Sequence, residues 1–221
     1  MQPSYGPIPP LDYFRLLVQD PDRIPLLEAA AAIALDACPE LDLQEVLLTF
    51  DRLAAGLAAQ CRGASTESTR LRRLLAYFYE SEGFAGNTEA YYAADNSYIH
   101  RVLETRRGIP ITLGLLFAEL ARHVGLEAEG VSFPGHFLVR VNLQEGVVIV
   151  DPFTGETLDR EQLARRAAPY GASLGQLLQP APAREILLRM LRNLRAIHEQ
   201  SGEEALLEGV WRRLQILGEN G

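Results

Sequence analysis

The sequence predicts an α+β protein with a helical N-terminal layer, a small antiparallel sheet and a helical hairpin at the C-terminus. Three observations carry this reading. Apolar residues recur at three- and four-residue intervals from about Leu11 to Glu82. The period then changes to short apolar runs, AEGVSF, GHFLVRV and VVIVDPF, divided by a Pro-Gly pair and a Gln-Glu-Gly turn. From Arg184 onward the helical period returns.

Residues 1–10 hold five prolines or glycines in the run MQPSYGPIPP and are expected to lie as an extended arm. The next stretch shows two helical stripes. Leu16, Leu17, Leu26, Leu27, Ala30, Ile33 and Ala34 form the first, and Leu43, Val46, Leu47, Phe50, Leu53, Ala54 and Leu57 the second. In STESTRLRRLLAYFYESEG, Ser65 and Thr66 can cap a helix whose apolar face is Leu71, Leu74, Leu75 and Phe78, with Gly83 as its stop.

After the aromatic linker FAGNTEAYYAAD comes NSYIHRVLETRRG. Here Asn96 is expected as an N-cap, Ile99, Val102 and Leu103 as buried positions, and Gly108 as the residue just past the helix. Pro110 suits the first turn of the following helix, which Gly125 ends. Leu113, Leu116, Phe117, Leu120 and Val124 should face its core.

The three apolar runs read as strands, one led by His136 and one ending at Asp151. The loose alternation of FLVRV suggests a central strand covered on both faces. Residues 159–179 read as a short helix and a glycine-containing loop. Arg184–Gln200 and Glu203–Leu217 read as two helices joined at Ser201-Gly202. The expected division is one domain over 1–180, with a helical part at 11–82 and a helix-plus-sheet core at 96–158, followed by a hairpin over 181–221.

Composition narrows the function classes. A net charge of −8 disfavours a general nucleic-acid surface, because phosphate binding needs a basic face. All 21 basic residues are arginine, so no lysine of this chain can form a Schiff base. Cys38 and Cys61 fit neither a metal spacing nor a disulfide framework and read as structural thiols. No signal-like N-terminus and no membrane-length apolar run is present, so a cytoplasmic location without membrane contact is expected. No cofactor and no metal is expected.

The chemistry concentrates in NSYIHRVLETRRGIPITLGLLFAELARHVGLEAEGVSFPGHFLVRV and VVIVDPFTGETL. These segments, roughly Asn96 to Leu158, resemble the bacterial SirB-type family of the transglutaminase-like superfamily. The C-terminal hairpin resembles the start of a tetratricopeptide-like tail. The resemblance implies a papain-like core in which a cysteine at a helix start, a histidine at a strand start and an aspartate at a strand end act together. A helix N-terminus favours the thiolate, the imidazole takes the proton and the carboxylate fixes the ring tautomer.

Set on that pattern, His136 matches the base and Asp151 its orienting partner, while Pro110 falls at the cysteine position. Proline has no ionisable group. Thr112, near the helix start, is the nearest substitute nucleophile. Asn96, Arg107, Pro110 and His136 are the candidate binding residues, with Arg107 placed to hold an anion. The resulting expectation is a non-catalytic domain that binds a peptide or protein, or serves regulation. The alternative is a hydrolase or amidase using Thr112 or an activated water with His136 and Asp151. The oligomeric state is left open.

Overall fold

The computed structural model describes residues 8–219. Most of the expected N-terminal arm, residues 1–7, lies outside the described residues. Pro10 does not belong to an arm: it opens helix α1 (Pro10–Leu17), where its fixed φ and missing N–H suit the first turn.

The helical layer follows the sequence pattern closely. Helix α2 (Leu26–Ala32) runs into a 3-10 turn (Ile33–Asp36) and leads to α3 (Leu43–Gln60) and α4 (Glu67–Leu75). The Asp42 carboxylate accepts from the Gln44 and Glu45 amides to start α3, and the Thr66 hydroxyl accepts from Thr69 N at 3.1 Å to start α4. Helix α4 continues as a π-helical turn over Ala76–Ser81. Ala29 to Ala32 of α2 are fully buried. Their small side chains let α1, α3, α5, α6 and α9 all approach this one short helix.

Two expectations around the next helix are corrected. Helix α5 (Ile99–Thr105) is preceded by Tyr98 at the cap position, and Asn96 lies two residues earlier in a 3-10 turn (Ala94–Ser97). Its amide is spent on a loop rather than on the helix end. The helix stops at Arg106, which takes φ 60, and not at Gly108. Gly108 is instead in the two-residue strand β2 (Arg107–Gly108), parallel to β1 (Ala85–Gly86). It must be glycine for space: a Cβ there would sit 2.9 Å from Thr112 Oγ1 and 3.1 Å from Val102.

Helix α6 (Pro110–His123) starts at the expected proline and ends as expected, with Gly125 at φ 70 and Leu126 N donating to Ala121 O at 3.0 Å. The core wraps it: Leu113, Leu116, Phe117 and Leu120 are buried, and so are Ile111, Leu115 and Ala118 on its other sides.

The sheet has the order β3-β4-β5-β6, all antiparallel: β3 (Glu127–Val131), β4 (Leu138–Leu143), β5 (Gly146–Val150) and β6 (Thr157–Leu158). Strand β4 is internal and covered on both faces, as its loose alternation suggested. Val139 and Val141 join the main core, to which α6 also contributes. Leu138 turns the other way, into a second cluster with Val131, Ile149, Leu158 and Leu163.

Helix α7 (Arg160–Ala167), the single-turn α8 (Leu174–Leu177), α9 (Ala183–Ser201) and α10 (Glu204–Ile216) complete the chain. Gly202 at φ 72 makes the turn between α9 and α10. Leu187, Leu191 and Leu194 of α9 and Leu214 of α10 are fully buried in the same core as α1 and α2.

Candidate functional site

The sheet register creates the site. Val139 of β4 faces Val150 of β5, so the chain entering β4 and the chain leaving β5 meet at one end of the sheet. His136 belongs to the turn before β4, not to the strand itself. That turn is closed by His136 N donating to Phe133 O at 3.0 Å, with Gly135 at φ 69. Asp151 is the first residue after β5 and is 2% exposed.

His136 Nε2 lies 2.9 Å from Asp151 Oδ1. The same oxygen accepts from Phe153 N at 3.0 Å, and Oδ2 accepts from an Arg166 guanidinium N–H at 2.8 Å. Burial alone would push this carboxyl up. The hydrogen bonds from His136 and Arg166, the His136 charge and the Phe153 amide together outweigh burial and hold it down to about 2. Asp151 is therefore an ionised acceptor at neutral pH. An acceptor-only carboxylate on Nε2 requires the ring proton there, so the neutral imidazole keeps its lone pair on Nδ1. The His136 side chain is 26% exposed, and Nδ1 takes no hydrogen bond from any described residue. The arrangement offers an oriented base or hydrogen-bond acceptor to whatever enters from solvent.

Arg166 was not foreseen. Strand β6 returns the chain along β5, and Asp159 then starts α7 with a reciprocal cap: its carboxylate accepts from Gln162 N, and Gln162 Oε1 accepts from Asp159 N, both at 2.8 Å. The helix carries Arg166 back to Asp151. The D-R-E-Q capping pattern followed by Arg165-Arg166 was the available signal. Tyr79, also unforeseen, donates to Pro152 O at 3.2 Å, and its phenol is pushed up by burial and then by the Asp151 charge.

The start of α6 reaches this end of the sheet through several contacts. Gly86 pairs with Gly108 and donates its N–H to Phe153 O at 3.1 Å. One turn into α6, a Cβ on Gly114 would meet the Phe137 ring at 2.7 Å and Pro152 at 3.3 Å. Pro110 is buried at the first position of the helix. Thr112 is fully buried, and its hydroxyl is consumed by the cap: it donates to Asn96 O at 2.8 Å, lies 3.1 Å from Ile109 O and accepts from Ile109 N at 3.2 Å. No hydrogen bond joins it to His136.

Asn96 is buried and braces the preceding loop. Its amide nitrogen donates to Ala90 O at 2.6 Å and Tyr91 O at 3.1 Å, and its oxygen accepts from Asn87 Nδ2 at 2.9 Å. Arg107 is exposed and points to Gly83 O at 2.7 Å and Arg106 O at 3.0 Å. The cation beside the His136–Asp151 pair is Arg166.

The two cysteines are half-buried and unpaired with each other. Cys38 lies 3.7 Å from His100 Nε2, and burial pushes the Cys61 thiol up. Among the described residues, no group of three or more His, Cys, Asp and Glu side chains is placed to hold a metal ion. No helix among them is long and apolar enough to cross a membrane.

Comparison with known proteins places this architecture. A family profile described as "Transglutaminase-like superfamily" matches residues 44–192. A UPF0162 protein of Xylella fastidiosa is 37% identical over 191 residues, covering 83% of this chain and 68% of that protein. One from Pseudomonas aeruginosa is 34% identical over 191 residues, covering 85% and 69%. The F-box only protein 21 of Mus musculus is 32% identical over 164 residues, 70% of this chain but 25% of that protein. No solved structure matches. The chain belongs to the transglutaminase-like superfamily, together with the UPF0162 proteins it resembles over most of its length.

Proposed function

We propose that this chain is a non-catalytic, peptide- or protein-binding member of the superfamily, a SirB-type pseudoenzyme with a regulatory role, in which the reaction frame has become part of a recognition site. One observation carries the reading. The His136–Asp151–Arg166 assembly is intact and oriented, yet the start of α6 presents Pro110, and the nearby Thr112 hydroxyl is already bonded to Asn96 and Ile109. A nucleophile must be free to meet both its base and a substrate carbonyl. Thr112 has neither freedom nor solvent access. What remains is an imidazole acceptor, 26% exposed, at the end of the sheet, where an extended peptide can lie alongside.

The test combines binding with turnover. A displayed panel of extended peptides should yield ligands that the protein holds without cleaving, and fluorogenic amide and ester substrates should show no turnover above buffer. His136→Ala should leave affinity for those peptides within about tenfold. Turnover that disappears in His136→Ala overturns the reading and favours the second one, an activated water on the open Nδ1 of His136.

A further inference from the structure

Beside the His136 turn lies a second feature that the frame does not use. Tyr91 and Tyr92 sit on the loop that Asn96 braces, and they are 40% and 76% exposed. Across from them, one face of α9 presents Asn193, Ile197 and Gln200, and Ile109 is a further wall. The space enclosed is about 180 Å³. That is below the range of roughly 300–1,000 Å³ usual for small-molecule sites and suits a single apolar side chain. The side chains of Asn193 and Gln200 make no hydrogen bond with any described residue. Asn96 braces the backbone beneath Tyr91, and the Tyr91 ring packs edge-on against Tyr92 and Phe153, so the loop offers a partly preorganised aromatic wall.

Arg189 lies one turn before Asn193 on the same face of α9. Its guanidinium donates to Ser132 Oγ and Phe133 O, both at 3.0 Å, and lies over the Phe137 ring at 5.9 Å. Phe133 O is also the acceptor that closes the His136 turn. Arg189 thus lies between Asn193, which lines the slot, and the turn that carries His136. It has no carboxylate partner among the described residues, unlike Arg166 on Asp151 or Arg106 on Glu82. Its ionisation is depressed by burial, with only the Tyr91 phenol acting the other way. A half-buried guanidinium that meets only neutral acceptors, in a protein of net charge −8, keeps its charge available to an anion.

We propose that the slot captures the C-terminus of a peptide. The terminal carboxylate pairs with Arg189, the last side chain enters between Tyr91 and Ile197, and the preceding backbone meets the amides of Asn193 and Gln200. A chain running along α9 towards Arg189 meets the 132–136 turn, so the geometry favours a chain end over a segment that continues. This deepens the peptide-binding reading and rests on it. Arg189 is a charge that a carboxylate neutralises, and a fork of donors that it accepts in two places.

The probe is the fluorescein-labelled hexapeptide Gly-Ser-Gly-Ser-Ala-Phe with a free C-terminal carboxylate, read by anisotropy against the same peptide amidated. A third peptide, amidated and carrying an internal Glu before Phe, reports whether an acidic side chain can substitute. The free carboxylate should bind at least tenfold tighter than either amidated peptide. Arg189→Gln should remove that advantage, Tyr91→Ala should weaken the free-carboxylate peptide at least tenfold, and the amide comparison on the unaltered protein stands even if a variant is unstable. Equal binding of free and amidated peptides, equal binding of the internal-Glu peptide, or no binding of any overturns the inference. Equal binding leaves peptide recognition itself standing. Cleavage of the peptide would instead overturn the non-catalytic reading, whatever its terminal preference.

Discussion

Asp151→Asn is the most informative single perturbation of the site. The substitution keeps the shape and removes the charge that His136 Nε2, Arg166 and Phe153 N all address. The carboxyl is held at about 2 against an ordinary 3.8. At about 1.4 kcal/mol per pH unit, that difference is worth about 2 kcal/mol of folding stability at neutral pH. The sign follows from the depressed value. Stability from this group is fully present above the unfolded value near 3.8 and is lost as pH falls through the folded value near 2. Urea unfolding followed by circular dichroism should therefore place Asp151→Asn about 2 kcal/mol below the parent at pH 7 and at pH 5, and by about half as much at pH 3. The partial exposure of Arg166, 36% for its side chain, means salt should trim the difference. A difference below about 0.5 kcal/mol at pH 7, or one that does not shrink towards pH 3, would mean that the Asp151 charge is not held by these partners.

Three further outcomes follow from the packing around the site. Gly114→Ala should lower stability by about 1–3 kcal/mol in the same urea assay, because the added methyl meets the Phe137 ring at 2.7 Å. Gly175→Ala, which meets nothing within 4 Å, is the control and should change stability little. Thr112→Val should cost about 1–2 kcal/mol by orphaning Asn96 O and Ile109 N, while Thr112→Ser should recover most of it; peptide affinity should be unchanged in both. Asn96→Ala should free the Tyr91–Tyr92 loop, seen as faster limited proteolysis near residues 87–93 and at least tenfold weaker binding of any peptide that uses that wall.

The elements were largely legible because their signals are local. Pro110 and Gly125 bound α6 as their backbone preferences require, and the apolar runs after Leu126 became the strands. The failures have a common cause, which is a local rule overridden by a tertiary partner. Asn96 has the chemistry of a cap, but the carbonyls of Ala90 and Tyr91 compete for its amide and win. Gly108 has the freedom of a helix-end residue, but its need is room for Thr112, and Arg106 takes the left-handed position instead.

The site divides in the same way. His136 and Asp151 are paired in the sequence by the family resemblance, and the β4–β5 register brings their strand ends together. Arg166 could not be placed in this way, since its approach depends on the β6–α7 return, and neither could Arg189, which reaches the His136 turn from α9, some fifty residues later. Arg107, expected to hold an anion near His136, does not reach it. Its nearest acceptors are backbone carbonyls.

On the proposed reading, the His136–Asp151 frame keeps its place beside the start of α6 and lacks only a nucleophile at Pro110. Pro110→Cys, made together with Cys38→Ser and Cys61→Ser, tests it most directly through the pH dependence of iodoacetamide alkylation, compared with the same protein carrying His136→Ala. The introduced thiol should react as thiolate well below the ordinary cysteine value of about 8.5, at a rate that falls at least tenfold at pH 6 without His136. A thiol that titrates near 8.5 whether or not His136 is present would contradict it.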